Sequence, residues 1–176
     1  SYIAWLFQPV CWQWGGRYSD PDFTIRIQEE PAVEAGRFYL ASVRDGWAVP
    51  SQDLVADFVN GAVAAMMAST GSLGGILRSA SFPVGTAFLP EGPAGFGCCT
   101  GGAGLAILKN KPREVQEAAF RWIAFATSPE STMWWSQNTG YMPVRKSAIA
   151  SAEMQRYFEE NSNFKTAVDQ LPKTRP

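Results

Sequence analysis

The sequence predicts a helix-dominated α/β lobe with a few short mixed strands. Three observations point there. Capped amphipathic stretches recur along most of the 176 residues. The apolar runs at Ala62–Ala68 and Pro83–Pro90 are short and bounded by turn residues, as buried strands are. A third run, Gly101 to Leu108, leaves a pair of glycines and enters an apolar strand.

In chain order, residues 1–14 read as a helix carrying Tyr2, Trp5, Leu6, Val10, Trp12 and Trp14. Pro9 limits or kinks it, and Gly15-Gly16 ends it. Phe23 to Ile27 alternates like a short strand after the turn cluster Ser19-Asp-Pro-Asp22. Glu29-Glu-Pro31 opens a helix running to about Asp45-Gly46, with acidic residues complementing the N-terminal dipole. Ser51 is the expected N-cap of the next helix, and Asn60-Gly61 its stop. Strands are expected around Val63, Val84 and Leu105, with a short helix from Leu73. Pro112 starts a helix whose Val115, Ala118, Ala119, Trp122, Ile123 and Phe125 form one apolar face. Thr127-Ser-Pro-Glu130 separates it from a Trp134-Trp135 helix that Gly140 terminates. Two polar helices close the chain, anchored by Tyr157, Phe158, Phe164 and Val168.

Composition narrows the chemistry. With 46% hydrophobic residues the chain can bury a core, and a formal charge of −1 gives no basic stripe for nucleic acid. No apolar run is long enough to span a membrane. The three cysteines, Cys11 and the adjacent Cys98 and Cys99, make no disulfide framework. Histidine is absent, so no zinc-type ligand spacing and no Ser-His or Cys-His nucleophile pair exists; neither metal nor cofactor is expected. The opening inside a helix and the uncapped close at Lys173-Thr-Arg-Pro176 read as a fragment, and missing targeting signals therefore carry no weight.

Several stretches could carry ligand groups. Ser69-Thr-Gly-Ser72 sits between an expected strand and a helix start, where hydroxyls and free N–H groups converge on an anion or on sugar hydroxyls; the same serines also fit an ordinary cap. Gly101-Gly102 lets a backbone approach a ligand closely. Tyr141 leaves a rigid helix stop, because Gly140 turns the chain and Met142-Pro143 holds it extended. Tyr2 and Trp5 share one helix face, as core or as the aromatic wall of a cleft. Small polar turns with aromatics suit binding a small molecule more than turnover.

The ordered set of Phe-Val-Asn-Gly61, Ser69-Thr-Gly-Ser72, Val84-Gly-Thr-Ala-Phe-Leu-Pro90, Gly101-Gly-Ala-Gly-Leu-Ala-Ile107, Ser128-Pro-Glu130 and Thr139-Gly-Tyr-Met-Pro-Val-Arg-Lys-Ser147 resembles the family 1 extracellular solute-binding proteins of bacterial ABC importers. It is most similar to their glycerol-3-phosphate and glycerophosphodiester binders, and the likeness covers nearly the whole chain. The resemblance implies a lobe of a two-lobe periplasmic-binding-protein fold that closes by a hinge around its ligand. Residues 1–176 would be most of the second lobe, with the first lobe and the C-terminal end, including an arginine for the phosphate, lying elsewhere. It implies Ser69, Gly102 and Tyr141 around the phosphate and glycerol, with Ser72 and Gly101 in the same stretches, and Trp5 as the aromatic face. Tyr2, near Trp5, would set the size of head group that fits. The implied partners are the permease subunits, and the implied location is extracytoplasmic, with a cleaved leader or a lipid anchor on the full-length protein. A lone lobe of this kind is expected to self-associate through its uncovered aromatics.

Two other functions fit the residues. One is a receptor for a neutral oligosaccharide of the maltose or trehalose type, which the aromatics suit equally. The other is a carbohydrate enzyme using the pairs Glu29-Glu30 or Glu159-Glu160, both at apparent helix ends where dipole compensation or solvation explains them.

Overall fold

The computed structural model describes residues 3–174. The described residues divide into two compact units, one built from residues 3–67, 87–101 and 169–174, the other from 68–86 and 102–168.

The first unit is organised by α1 (Ile3–Gln13) and α2 (Glu30–Arg44). Pro9 lies inside α1, which continues past it to the left-handed Gly15. Pro31 falls in the first turn of α2, where its missing N–H costs nothing. Val10, Cys11 and Trp12 are buried on α1, and Ala32 and Ala35 on α2. Aromatic pairs extend this contact: Phe7 meets Tyr39 edge-on at 5.8 Å, and Trp14 meets Phe38 at 4.4 Å. A strip around Gly92–Cys99 lies along α1, with the Gln13 amide donating to the Gly97 carbonyl at 3.2 Å.

Phe23 to Ile27 does not form the expected strand. Ser19 and Ile25 make one antiparallel bridge, and Phe23 sits at the tip with φ 64° and 86% exposure. Asp20 explains the tight turn: its backbone N–H donates to Thr24 O, its backbone carbonyl accepts from Phe23, and its carboxylate accepts from both Arg17 (2.5 Å) and Arg26 (2.6 Å). Those guanidinium hydrogen bonds, Arg17 first, hold the Asp20 carboxyl below its ordinary range. The N-cap of α3 (Leu54–Val59) is Asp53, whose carboxylate accepts from Ala56 N at 3.0 Å. Ser51, expected in that role, instead accepts from Asp53 N and bonds Asp57, since it stands two residues too early to reach the first-turn amides.

The second unit contains α4 (Leu73–Ser79), preceded by a 3₁₀ turn at Thr70–Ser72, then α5 (Arg113–Ala126), α6 (Pro129–Thr139), α7 (Lys146–Ile149), α8 (Ala152–Glu160) and most of α9 (Ser162–Gln170). Ser128 caps α6 and Ser151 caps α8, each accepting from a first-turn amide. Leu73, Met133, Ala148, Met154, Phe158 and Phe164 form the core, with Leu77, Ile149, Tyr157 and Val168 around it.

The helix-rich class holds, with less sheet than expected. Among the described residues the segments around Val63, Val84 and Leu105 form no strand ladder. For residues 84–86 the reason is visible: Asn163 donates to Val84 O at 2.8 Å and accepts from Thr86 N at 2.9 Å, so a helix side chain occupies the groups a neighbouring strand would take. Leu105 is exposed, as are Val115, Phe120, Trp122 and Phe125 on α5, which buries no residue.

Candidate functional site

The candidate residues fall into two groups, one in each unit. In the second unit, Ser69 precedes the 3₁₀ turn with extended backbone, and its hydroxyl accepts from Gly71 N at 3.4 Å. Ser72 stands before α4 without a side-chain cap bond. Tyr141 comes to this turn from 70 residues along the chain through Gly140, whose φ of 103° ends α6 and whose N–H donates to Ser136 O at 2.8 Å. A side chain at Gly140 would overlap Thr70 O and lie 2.7 Å from Leu73 Cβ. The α6 stop is thus pressed onto the Ser69–Leu73 turn, and only glycine satisfies both the backbone angle and the contact.

The Tyr141 ring lies on Gly71: a methyl group there would overlap Cζ and stand 2.5 Å from Cε2 and 2.6 Å from Oη. Gly71 therefore carries the Tyr141 phenol on its α-carbon while its amide holds the Ser69 hydroxyl. Tyr141 is 45% exposed, so part of the residue stays open to solvent. Gly102 is exposed with no atom within 4 Å of an added Cβ, the open backbone that ligand approach requires.

In the first unit, Trp5 is 42% exposed and packs on Gly101, where a Cβ would overlap the indole Cη2 and stand 2.6 Å from Cζ2. The close approach that Gly101 permits is therefore to Trp5. Cys99 donates from Sγ toward Trp5 O at 3.8 Å, and Gln170 donates to Cys98 Sγ at 3.1 Å. Tyr2 lies outside the described residues.

Burial, and next the neighbouring Cys99, pushes the Cys98 thiol from an ordinary 9.0 to about 11. The folded state then keeps a proton that the unfolded chain releases between those values. The stabilisation is present below the ordinary thiol pKa and is lost as pH rises from 9.0 through about 11. Cys98 in the folded protein is expected to resist iodoacetamide at pH near 8 and to react only as the solution approaches that upper value, against prompt reaction after unfolding. Peptide mass spectrometry across a pH series checks this; fast labelling of the folded protein near pH 8 would contradict it.

Several charged side chains have partners of their own. Arg145 donates to Thr127 O at 2.7 Å and to Thr127 Oγ1 at 3.2 Å, and Arg78 reaches Asn138 O at 3.5 Å. Glu29 pairs with Arg26 and Glu30 with Arg37, each at 2.9 Å, while Glu159 and Glu160 are exposed at the end of α8. Among the described residues no cluster of potential metal ligands occurs, and no helix is long and apolar enough to cross a membrane. Sequence reasoning missed Gly71; the signal was a glycine inside a turn already singled out for its hydroxyls.

Residues 2–164 match the model of the bacterial extracellular solute-binding protein family, and the chain belongs to that family. Among its relatives is the sn-glycerol-3-phosphate-binding periplasmic protein UgpB of Escherichia coli K12, 32% identical over 118 residues, which are 65% of this chain and 27% of that protein. Among solved structures, UgpB from Mycobacterium tuberculosis in complex with glycerophosphocholine superposes with a TM-score of 0.91 at 44% identity, covering 98% of this chain and 44% of that one. The GacH receptor of Streptomyces glaucescens, solved unliganded and with acarbose, gives 0.76 at 25% identity, over 97% of this chain and 45% of its own. The chain thus spans about a quarter of the curated relatives it matches and under half of these solved chains.

Proposed function

We propose that the full-length protein is the substrate-capturing component of an ABC importer, working outside the cytoplasm, and that it takes a glycerophosphodiester such as glycerophosphocholine, or sn-glycerol-3-phosphate. The observation that carries this reading is the 44% identity with M. tuberculosis UgpB across 98% of the chain, because that protein was solved with glycerophosphocholine. The local chemistry supports it. The Ser69 hydroxyl, the Gly102 backbone N–H and the Tyr141 phenol are donors suited to phosphate and glycerol oxygens. Ser72 belongs to the same turn and Gly101 seats Trp5. The Trp5 indole offers an apolar face to the glycerol and a π face to a choline cation. Arg145 is tied to Thr127 and is not assigned to the phosphate in this reading. Tyr2 would limit the head group. The permease subunits of the importer are the macromolecular partners, and a bound ligand would be handed on unchanged.

Titration calorimetry on the full-length protein tests this with glycerophosphocholine, sn-glycerol-3-phosphate and trehalose in parallel. Binding of a phosphate compound is the expected result. Ser69→Ala and Tyr141→Phe are each expected to weaken that binding by roughly 1–3 kcal/mol, the cost of a buried hydrogen bond left unmade. Binding of trehalose alone would replace this reading with a neutral-sugar receptor, the alternative that the likeness to GacH favours.

A further inference from the structure

We propose that Gly71 is a positioning residue for ligand recognition: having no side chain, it seats the Tyr141 phenol on the Ser69–Ser72 turn and sets where phenol and Ser69 hydroxyl stand together. This rests on the proposed reading of Ser69 and Tyr141 as ligand contacts.

The backbone does not require glycine at this position. Gly71 is not among the residues with positive φ, and it lies in the middle of a 3₁₀ turn, a conformation that alanine adopts freely. Its neighbour in the contact, Gly140, differs in having both a positive φ and a backbone overlap. The three atoms nearest an added Cβ at Gly71 are all from the tip of one side chain, the Cζ, Cε2 and Oη of Tyr141. Those atoms include the hydroxyl that recognition would use. A methyl group here would lift the phenol from the turn while leaving the Gly71 amide free to hold Ser69. The Tyr141 backbone is fixed independently by the Gly140 stop and by the Tyr141 N–H to Thr139 Oγ1 bond at 3.2 Å, so displacement must be taken up by the ring. A tyrosine can rotate about χ1 and χ2 to do so, which makes loss of aim, rather than loss of fold, the consequence of Gly71→Ala.

The test is a double-mutant cycle in the full-length protein, read by calorimetry with glycerophosphocholine. Gly71→Ala is expected to weaken binding roughly tenfold or more, while the same change made in a Tyr141→Ala background alters affinity by less than about twofold. A merely structural role in the turn would cost the same factor in both backgrounds and would overturn the proposal, as would unchanged affinity in Gly71→Ala. A second reading needs no ligand. With fluorotyrosine incorporated, the fluorine resonance of Tyr141, assigned by its loss in Tyr141→Phe, is expected to move in Gly71→Ala while those of Tyr18, Tyr39 and Tyr157 stay in place; an unmoved resonance overturns the contact. If the parent protein binds no glycerophosphocholine, the ligand reading falls, and the resonance alone decides whether Gly71 positions Tyr141. If Gly71→Ala does not fold, removing the phenol in the double variant is expected to restore folding, and failure to do so overturns the proposal.

Discussion

Gly140→Ala is expected to destabilise the full-length protein by about 2–5 kcal/mol, combining the penalty for a left-handed L-residue with that for overpacking against neighbours. Two separate features of the structure drive the estimate. The φ of 103° is one that side chains rarely adopt. The added methyl would also overlap the Thr70 carbonyl, which belongs to the backbone and cannot rotate aside, and Leu73 Cβ at 2.7 Å. The unit must therefore move the α6 end away from the Ser69–Leu73 turn. Because Tyr141 follows immediately, the same movement carries the phenol off Gly71, and affinity for a phosphate ligand is expected to fall with stability. Urea denaturation monitored by circular dichroism, with calorimetry on the folded variant, reads both. A midpoint and an affinity both matching the parent would show that the corner tolerates a side chain.

Phe158→Ala is the second large effect, and it separates folding from recognition. Phe158 is 2% exposed at the centre of the second unit's core, beside Met154 and Phe164. Truncating a buried phenylalanine removes its transfer free energy and leaves a cavity, together about 3–5 kcal/mol. The α8 side of the core carries none of the proposed ligand contacts, so the folded fraction should bind with parental affinity. The check is a denaturation curve paired with calorimetry at a temperature where the variant remains folded. A loss of affinity at unchanged stability would mean that α8 shapes the site.

How much of this was legible in the sequence depended on whether the signal was local. Gly140 as a left-handed stop, Pro31 at a helix start and Tyr157, Phe158, Phe164 and Val168 as anchors were all readable, because caps and amphipathic spacing reside in a few consecutive residues. The strand at Phe23 was misread because alternation describes a strand only when a partner exists, and here the Asp20 carboxylate and its two arginines close a turn instead. The groups of Val84 and Thr86 went to the Asn163 side chain, a contact across 77 or more residues that no local pattern encodes. The site shows the same division. Tyr141 and Ser69 were proposed from their turns, but that Gly71 joins them depends on a contact between residues 70 apart in the chain.

The contact between Gly71 and Tyr141 also constrains how such a chain can diverge. A descendant that first acquires a side chain at position 71 displaces the phenol and, on the proposed reading of Tyr141 as a ligand contact, loses what the phenol would recognise. One that first exchanges Tyr141 for a smaller residue vacates the space, after which position 71 is free to vary. Both orders give up the phenol's contact, but only the second leaves the turn unobstructed when position 71 changes. A transporter lineage shifting to a new nutrient through this corner would have to abandon its old one at position 141 before position 71 could contribute to the replacement.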